Sequence, residues 1–198
     1  MDIEAKDNRG RILDTALSLF YEKGYDAVSV QNIVNAVGIT KPTLYYYFGS
    51  KQGLLQALVD ENSGIMLERL QGEDVIDKDV KMTLMKVAEV FVRYALERPK
   101  FYYYMLAMMY SARSGEPYAI AAPWLERIDA RLFAIFDVWS GSLGNMNGRQ
   151  KQFARSYFGF LNLYLYGIRE EIESKKMLDV DYRAIEGIVH QFMYGIVV

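Results

Sequence analysis

The sequence predicts an all-α protein of about nine helices. Apolar residues recur three or four positions apart along most of its 198 residues, which is the period of an amphipathic helix. No stretch alternates convincingly with the period of two that marks a strand, and glycine or proline separates the helical stretches. A hydrophobic content of 52% is enough for one sizeable core or for two small cores that share an interface. We expect three short helices in residues 1–50 and a larger helical domain in residues 51–198.

The residue types that enzymes and metal sites use are scarce. The chain has no cysteine, and His190 is its single histidine. Thiol chemistry and disulfides are therefore absent, and a histidine-based triad or an all-histidine metal cluster would lack its second member. No phosphate loop and no nucleophile paired with a base can be recognised. An all-helical enzyme is thus disfavoured, and we expect no catalytic residue, no metal and no cofactor.

The sequence predicts neither a signal peptide nor a membrane-spanning segment. Residues 1–8 are charged rather than apolar, so no signal peptide is predicted. No run reaches the roughly 18 apolar residues that a membrane span requires. We expect a cytoplasmic protein that has no membrane contact.

The first two helices are predicted upstream of residue 38. Arg9 to Lys23 carries apolar residues at helical spacing and stops at Gly24, a residue suited to the position just past a helix end. Ser29 can cap a second helix through its hydroxyl group. Both helices are short, and the turn between them is tight.

A third helix is predicted to start at about Lys41. Gly38 can take the positive φ of a sharp turn between helices, and Thr40 can cap the helix that follows. Its inward face is apolar and aromatic: Leu44, Tyr47 and Phe48. Its outer face is aromatic, hydroxylic and cationic: Lys41, Thr43, Tyr45 and Tyr46.

The region of this third helix lacks negative charge. Residues 27–59 contain no carboxylate, although the chain has 25 Asp and Glu, and their only formal charges are Lys41 and Lys51. Hydroxyls, backbone amides and lysines at helix starts hold phosphates, and a short exposed helix fits a major groove. The net charge of −2 argues against nucleic-acid binding, but affinity depends on the charges at the interface rather than on the total. The pattern therefore predicts a helix-turn-helix DNA-binding domain in residues 1–50.

Residues 9–55 resemble the DNA-binding region of the tetracycline-repressor (TetR) family of transcriptional regulators. The residues that carry the resemblance, in order, are Ile12, Ala16, Phe20, Gly24, Tyr25, Ser29, Ile33, Ala36, Gly38, Thr40, Thr43, Leu44, Tyr45, Tyr47, Phe48, Ser50, Lys51 and Leu54. Beyond this first quarter the chain resembles the family in its size and helical character. One departure is that Gln52 and Gly53 stand where the family usually has acidic residues. The capping box of the helix that starts at Lys51 is therefore incomplete, which predicts a start looser by about 1 kcal/mol.

The residues predicted to contact DNA are Ser29, Thr40, Lys41, Pro42, Thr43, Tyr45, Tyr46 and Lys51. Three of them, Ser29, Thr40 and Lys51, lie at helix starts suited to phosphate oxygens. The resemblance places Lys41 and Tyr45 at positions that contact DNA in the family. For Pro42 and Tyr46 a structural role is an equal alternative. Arg9 or Arg11 is a further candidate for a phosphate contact.

The remainder of the chain is predicted to be helical throughout. The expected helices are residues 51–71, 78–98, a helix opened by Pro99, a helix that ends before Gly141, residues 151–173 and residues 182–197. The breaks between them include residues 72–77, 111–117 and 140–148. None of these breaks is long enough to indicate a domain linker.

An aromatic and methionine-rich segment at residues 101–110 is apolar on every side of its helix, so it is either ordinary core or the lining of a cavity. The resemblance implies a small-molecule effector that enters a cavity framed by the fourth to eighth predicted helices, from residues 51–71 to residues 151–173, and alters DNA affinity. The candidate lining residues are Phe101, Tyr104, Met105, Met108, Trp124, Phe158, Asn162 and Tyr166. Tyrosine and methionine favour a hydrophobic or aromatic molecule. A carboxylate such as Glu89, Asp129 or Asp137 would suit a cation, although a solvated helix face is the simpler interpretation of each.

The last two helices carry apolar residues on more than one face. A helix with two apolar faces needs a partner within the chain and a second one outside it. We expect these helices to pair with their copies in a four-helix dimer interface, as the resemblance also implies. The residues expected there are Phe160, Tyr164, Ile185, Ile188, Val189, Phe192 and Met193.

These predictions describe a homodimeric regulator that binds an inverted-repeat operator in DNA and is released by its effector. A two-fold dimer is needed because one short helix contacts too few base pairs, whereas two copies read half-sites about 34 to 36 Å apart. The alternative is a helical dimer that acts through protein partners without binding DNA, which leaves the polar face of the third helix unexplained.

Overall fold

A computed structural model describes residues 2–72, 75–141 and 148–195, and within them it contains helices and no strand. The helices are α1 (Asp2–Lys23), α2 (Val30–Val37), α3 (Lys41–Phe48), α4 (Lys51–Gln71), α5 (Val80–Glu97), α6 (Pro99–Met109), α7 (Glu116–Val138), α8 (Gln150–Gly167), α9 (Arg169–Glu173) and α10 (Tyr182–Tyr194). The all-α prediction is confirmed. No helix in the described part is long and apolar enough to cross a membrane.

The starts of α2 and α3 follow from the side chains that cap them. Ser29 Oγ accepts from the backbone N–H of Asn32 at 3.1 Å, and the Asn32 side chain accepts from the Ser29 backbone N–H at 2.8 Å. Thr40 Oγ1 accepts from the Thr43 N–H at 3.4 Å. Between the two helices Gly38 has φ +79°, the left-handed conformation that the predicted turn requires. The sequence therefore predicted this helix-turn-helix nearly to the residue.

Two of the later helices differ from the sequence prediction. The helix expected over residues 151–173 ends at Gly167, and the short helix α9 starts at Arg169. Ile168 between them leaves the helical conformation with ψ +15°, and Gly167 in front of it lowers helix propensity. The helix expected to reach residue 197 ends at Tyr194, before Gly195 with φ +71°. Of the predicted loop at residues 140–148, positions 142–147 lie outside the described residues.

The contacts divide the chain into two compact units. The first contains Met1–Gly64 and Lys100–Pro123, and the second contains Ile65–Pro99 and Trp124–Val198. The first unit therefore joins the three N-terminal helices to the first two thirds of α4, to α6 from Lys100 onward and to the first turns of α7. The domain boundary between residues 50 and 51 stays a proposal.

Three contacts attach residues 100–123 to the N-terminal helices within the first unit. Lys100 Nζ donates to Ser18 Oγ of α1 at 2.9 Å. The rings of Phe20 and Tyr104 stack with their centroids 6.2 Å apart. The Tyr25 hydroxyl, in the turn between α1 and α2, donates to the Glu116 carboxylate at the start of α7.

The second unit has an aromatic core between α5, α7, α8 and α10. Tyr157 is fully buried and donates its hydroxyl to the Leu84 carbonyl oxygen at 2.6 Å, so its one polar group is satisfied. The Phe192 ring lies 4.8 Å from the Tyr157 ring and 5.9 Å from the Phe136 ring, measured between centroids. Aromatic packing of this kind contributes beyond simple area burial.

Candidate DNA-binding surface

The outer face of α3 is open to solvent. Leu44 is completely buried, whereas Tyr46 is 84% exposed and Tyr45 is 45% exposed. Lys41 and Pro42 are exposed at the start of the helix. Leu44 thus lies inward and Lys41, Tyr45 and Tyr46 lie outward as predicted, whereas Thr43, Tyr47 and Phe48 are all half-buried. The outward face presents a cation and two phenol side chains.

The hydroxyl groups near the helix starts have local partners. Ser29 Oγ lies 2.6 Å from the Asn32 amide oxygen, and Thr40 Oγ1 lies 2.9 Å from Thr43 Oγ1. Ser29 and Thr40 are both exposed, and Thr43 is half-buried. Their capping role is thus observed, and their contact with phosphates stays a prediction.

Lys51 points inward rather than towards the outer face of α3. Its Nζ donates to the carbonyl oxygen of Tyr25 at 2.7 Å and lies 3.9 Å from the centre of the Tyr25 ring. Partial burial lowers the pKa of Lys51, and the nearby carboxylates of Asp26 and Glu116 oppose that shift. The ammonium is consequently held by the protein, which does not support a phosphate contact in this conformation.

The two arginines near the N-terminus are engaged as well. Arg11 Nη2 donates to the Val37 carbonyl oxygen at the end of α2, at 3.0 Å. Arg9 pairs with Glu61 of α4 at 2.9 Å, and its guanidinium lies 5.7 Å from the Phe48 ring centre. Of the cations that the sequence suggested for DNA, Lys41 is the one that is fully available within the described residues.

The candidate effector-lining residues are divided between the two units. Phe101, Tyr104, Met105 and Met108 are buried in the first unit, and the Tyr104 hydroxyl has no hydrogen-bond partner among the described residues. In the second unit Trp124 packs under the Arg127 guanidinium, and Asn162 donates to the Phe158 carbonyl oxygen. Tyr166 is 67% exposed, which does not fit the wall of an enclosed pocket.

A pocket of about 400 Å³ lies within the second unit, and none of the eight candidates lines it. Its lining residues are Arg69, Gly72, Val75, Lys86, Glu89, Val90, Arg93 and Glu97. The charged ones form internal pairs, such as Arg69 with Glu97 at 2.6 Å and Arg93 with Glu89 at 2.8 Å.

The carboxylates considered for a cationic ligand are also paired. Glu89 additionally accepts from the Tyr182 hydroxyl, and Asp129 binds Arg155 through both carboxylate oxygens. Asp137 accepts from the Gln150 amide at 3.4 Å. Each of the three carboxylates therefore has a partner within the second unit.

The residues predicted for a dimer interface fall into two groups. Ile185 and Val189 are completely buried within the chain, so they are unavailable to a second copy. Phe160 is 37% exposed, and the remaining four, Tyr164, Ile188, Phe192 and Met193, are partly exposed. The sequence analysis omitted Leu163, which is 73% exposed on α8.

Tyr25 and Glu116 were not predicted as functional residues. Tyr25 is 7% exposed, and burial together with its hydrogen bond to Glu116 raises the pKa of its hydroxyl well above the ordinary value. The two residues are 91 positions apart, and no local pattern signals such a pair. Only the fold brings them together.

Comparisons with known proteins agree with this geometry. Residues 12–58 match the family model described as "Bacterial regulatory proteins, tetR family". The HTH-type transcriptional regulator UidR of Escherichia coli K12 is 32% identical over 100 residues, which cover 48% of this chain and 51% of UidR. The chain thus matches about half the length of this curated relative.

Solved structures share the fold over nearly the whole chain. The TetR family transcriptional regulator PfmR of Thermus thermophilus has a TM-score of 0.70 at 24% identity, covering 95% of this chain and 100% of PfmR. The transcriptional regulator FadR of Bacillus subtilis, solved in complex with stearoyl-CoA, has a TM-score of 0.70 at 20% identity, covering 94% of this chain and 98% of FadR.

The capped helices α2 and α3, with the exposed outer face of α3, form a helix-turn-helix. Residues 12–58 are therefore similar to the N-terminal region of tetR-family regulators, and the chain as a whole shares the fold of PfmR and FadR.

Proposed function

We propose that this protein is a sequence-specific DNA-binding transcriptional regulator, and that it acts as a repressor released by a small molecule. The observation that carries the proposal is the outer face of α3, where Lys41, Tyr45 and Tyr46 are exposed on a helix of the tetR-family module. A face of this chemistry, without a carboxylate between residues 27 and 59, suits the phosphates and base edges of a major groove. We propose a cytoplasmic location and no enzymatic activity.

The experiment is the selection of duplexes from a random pool by the purified protein. We expect an inverted repeat, because two copies related by a two-fold axis read two equivalent half-sites. The control is the double variant Lys41→Ala, Tyr45→Ala, which removes a cation and a phenol from α3 and leaves Leu44 in place. If the double variant enriches the same duplexes as the native protein, α3 does not determine the sequence preference.

The dimer is proposed to form through the exposed faces of α8 and α10. Phe160, Leu163 and Tyr166 leave apolar and aromatic surface open on α8. Gly159 and Gly187 have open space where a side-chain carbon would stand, so their own chain does not require glycine there. A close approach by a helix of a second copy explains these glycines, which otherwise lower helix propensity. Sedimentation equilibrium at micromolar concentration tests the dimer directly.

The effector is proposed to be hydrophobic or aromatic. Phe101, Tyr104, Met105 and Met108 offer apolar surface on α6, and the unpartnered Tyr104 hydroxyl is a point where a polar group of a ligand would gain a hydrogen bond. The complex of Bacillus subtilis FadR with stearoyl-CoA makes long acyl thioesters a sensible part of the panel. The test adds acyl thioesters, lipophilic cations or neutral aromatics to the complex of the protein with the selected duplex. Fluorescence anisotropy measures whether each compound releases the duplex.

A helical dimer that acts only through protein partners is the alternative. It accounts for the open faces of α8 and α10 but assigns no role to Lys41, Tyr45 and Tyr46. Failure of the native protein to enrich any duplex, with or without the panel compounds, would favour this alternative.

A further inference from the structure

The turn between α1 and α2 is held on two sides by residues far away in the sequence. On one side the Tyr25 hydroxyl donates to the Glu116 carboxylate in the first turn of α7. On the other side the Tyr25 carbonyl oxygen accepts from Lys51 Nζ at 2.7 Å, at the start of α4. Tyr25 therefore joins the beginnings of α4 and α7 to the turn from which α2 and α3 continue.

The aromatic ring of Tyr25 contributes to the same junction. The Lys51 ammonium lies 3.9 Å from its centre, which is within the range of a cation–π interaction. The Phe20 ring lies 5.3 Å from the Tyr25 ring, and Phe20 also stacks on Tyr104 of α6. Because Tyr25 is only 7% exposed, its hydroxyl would lose a partner that water replaces poorly if Glu116 moved away.

We propose that Tyr25 and Glu116 are positioning residues for DNA binding. Their hydrogen bond fixes the α1–α2 turn against the first turn of α7, and the bond from Lys51 to the Tyr25 carbonyl fixes the start of α4 to the same turn. The inference rests on the proposed DNA-binding function and assigns Lys51 a place inside the junction rather than on a phosphate. Neither Tyr25 nor Glu116 touches the DNA in this arrangement.

The physical consequence is preorganisation of the helix-turn-helix. A junction that holds α2 and α3 in one orientation reduces the conformational freedom that DNA binding would otherwise have to remove. Loss of the hydrogen bond leaves the exposed face of α3 chemically unchanged but lets the turn that precedes α2 sample other positions. Operator affinity should therefore fall without any change in the residues that contact the bases.

Substitutions at Tyr25 and Glu116 remove the hydrogen bond from either side. Tyr25→Phe removes the hydroxyl and keeps the ring that packs on Phe20 and Lys51. Glu116→Ala removes the acceptor, whereas Glu116→Gln keeps an amide oxygen that can accept. The matched control is Tyr110→Phe, which makes the same chemical change at a tyrosine that is 79% exposed just beyond the end of α6.

Operator affinity is measured by anisotropy on the duplex that the native protein selects, at a temperature well below the melting temperature of every variant. We expect Tyr25→Phe and Glu116→Ala each to bind about tenfold more weakly, the double variant to be no weaker than either single one, and Glu116→Gln to recover most of the affinity. Tyr110→Phe should bind like the native protein. A bond that serves stability alone would lower the melting temperatures and leave these affinities unchanged.

Unchanged or increased affinity of Tyr25→Phe, or losses that add in the double variant, would overturn the inference while the native protein still binds its duplex. If the native protein selects no duplex at all, the proposed function fails and this inference fails with it. Whether the native protein selects a duplex therefore distinguishes failure of the proposed function from failure of the positioning role alone.

Discussion

The carbonyl oxygen of Phe48 lies so close to Gly53 that a β-carbon at position 53 would be 2.0 Å from that oxygen. A carbon–oxygen contact of this length is far inside van der Waals distance, so no other residue fits without a shift of the backbone. The contact lies where the end of α3 meets the first turn of α4, and Ser50 Oγ accepts from the Gly53 N–H there at 2.9 Å. The absence of the acidic residue that would complete a capping box therefore has a steric reason.

Gly53→Ala is expected to destabilise the protein by about 2–4 kcal/mol, because either α3 or α4 must move to relieve the clash. Thermal or urea unfolding measures the loss. The control is Gly64→Ala in the same helix, where nothing lies within 4 Å of the added carbon. Alanine should stabilise that position by about 0.5–1 kcal/mol. Equal effects at the two positions would contradict the close approach of Phe48 to Gly53.

The sequence predicted the helix-turn-helix well because its signals are local. The hydroxyls of Ser29 and Thr40 and the left-handed Gly38 each act within a few residues of their own position. The direction of Lys51 could not be predicted, because it depends on Tyr25, which is 26 residues away. The pair of Tyr25 and Glu116 was missed for the same reason.

The dimer interface stays a prediction, and not every residue named for it is available on the surface of α8 and α10. Helical periodicity marks which side chains share a face, and it does not say whether that face meets the same chain or a second one. Ile185 and Val189 are fully covered by their own chain, whereas Leu163 and Tyr166 remain open. Only the packing of α5, α7 and α8 around α10 shows which apolar residues are covered by their own chain and which remain exposed.

Lys41→Ala is expected to weaken operator binding and to change the preferred bases. Lys41 is exposed at the start of α3, and no carboxylate pairs with it within the described residues. A base contact contributes discrimination of about 1–3 kcal/mol, and its removal relaxes specificity at one position of each half-site. Repeating the duplex selection with the variant measures this. Lys78→Ala in the second unit serves as a control, and a relaxed sequence preference in that variant would contradict the assignment.

The salt dependence of binding should be modest, and Lys51 should not contribute to it. Of the candidate cations, Lys41 is the one that is fully available within the described residues. If its charge neutralises one phosphate in each half-site, the slope of log K against log salt is expected to be about −2 for the dimer, whereas four such cations per subunit would give about −7. Lys51→Ala should lower the affinity through loss of its bond to Tyr25 and leave this slope unchanged. A titration from low to high salt compares the native protein, Lys41→Ala and Lys51→Ala. A shallower slope for Lys51→Ala would show that Lys51 contacts a DNA phosphate after all.

Phe160→Glu is expected to dissociate the dimer. The substitution places a charge on the open face of α8, where burial against a second copy would leave it unpaired at a cost of several kcal/mol. Phe133→Glu on α7 is a matched control, because Phe133 is 38% exposed and Phe160 is 37% exposed. Sedimentation equilibrium should give monomers for the first variant and dimers for the second. Dimers for both would exclude Phe160 from the interface.

Asp77 should make stability depend on pH in the acidic range. Lys86 donates to its carboxylate at 2.9 Å and the Lys78 backbone N–H donates to it at 2.7 Å, and these bonds lower the pKa of Asp77 below its ordinary value. Because the pKa is lower in the folded protein than in the unfolded chain, the folded state gains stability above the ordinary aspartate pKa of about 4. That gain is lost as the pH falls through the lowered pKa.

Asp77→Asn removes the charge at every pH, so the comparison with the native protein isolates this contribution. The variant is expected to melt at a lower temperature than the native protein at pH 7, and the difference should shrink as the pH falls below about 4. Thermal unfolding followed by circular dichroism between pH 7 and pH 2.5 measures both proteins, with Asp14→Asn on α1 as the control. A difference that stays constant over this range would mean that the carboxylate charge of Asp77 does not stabilise the fold.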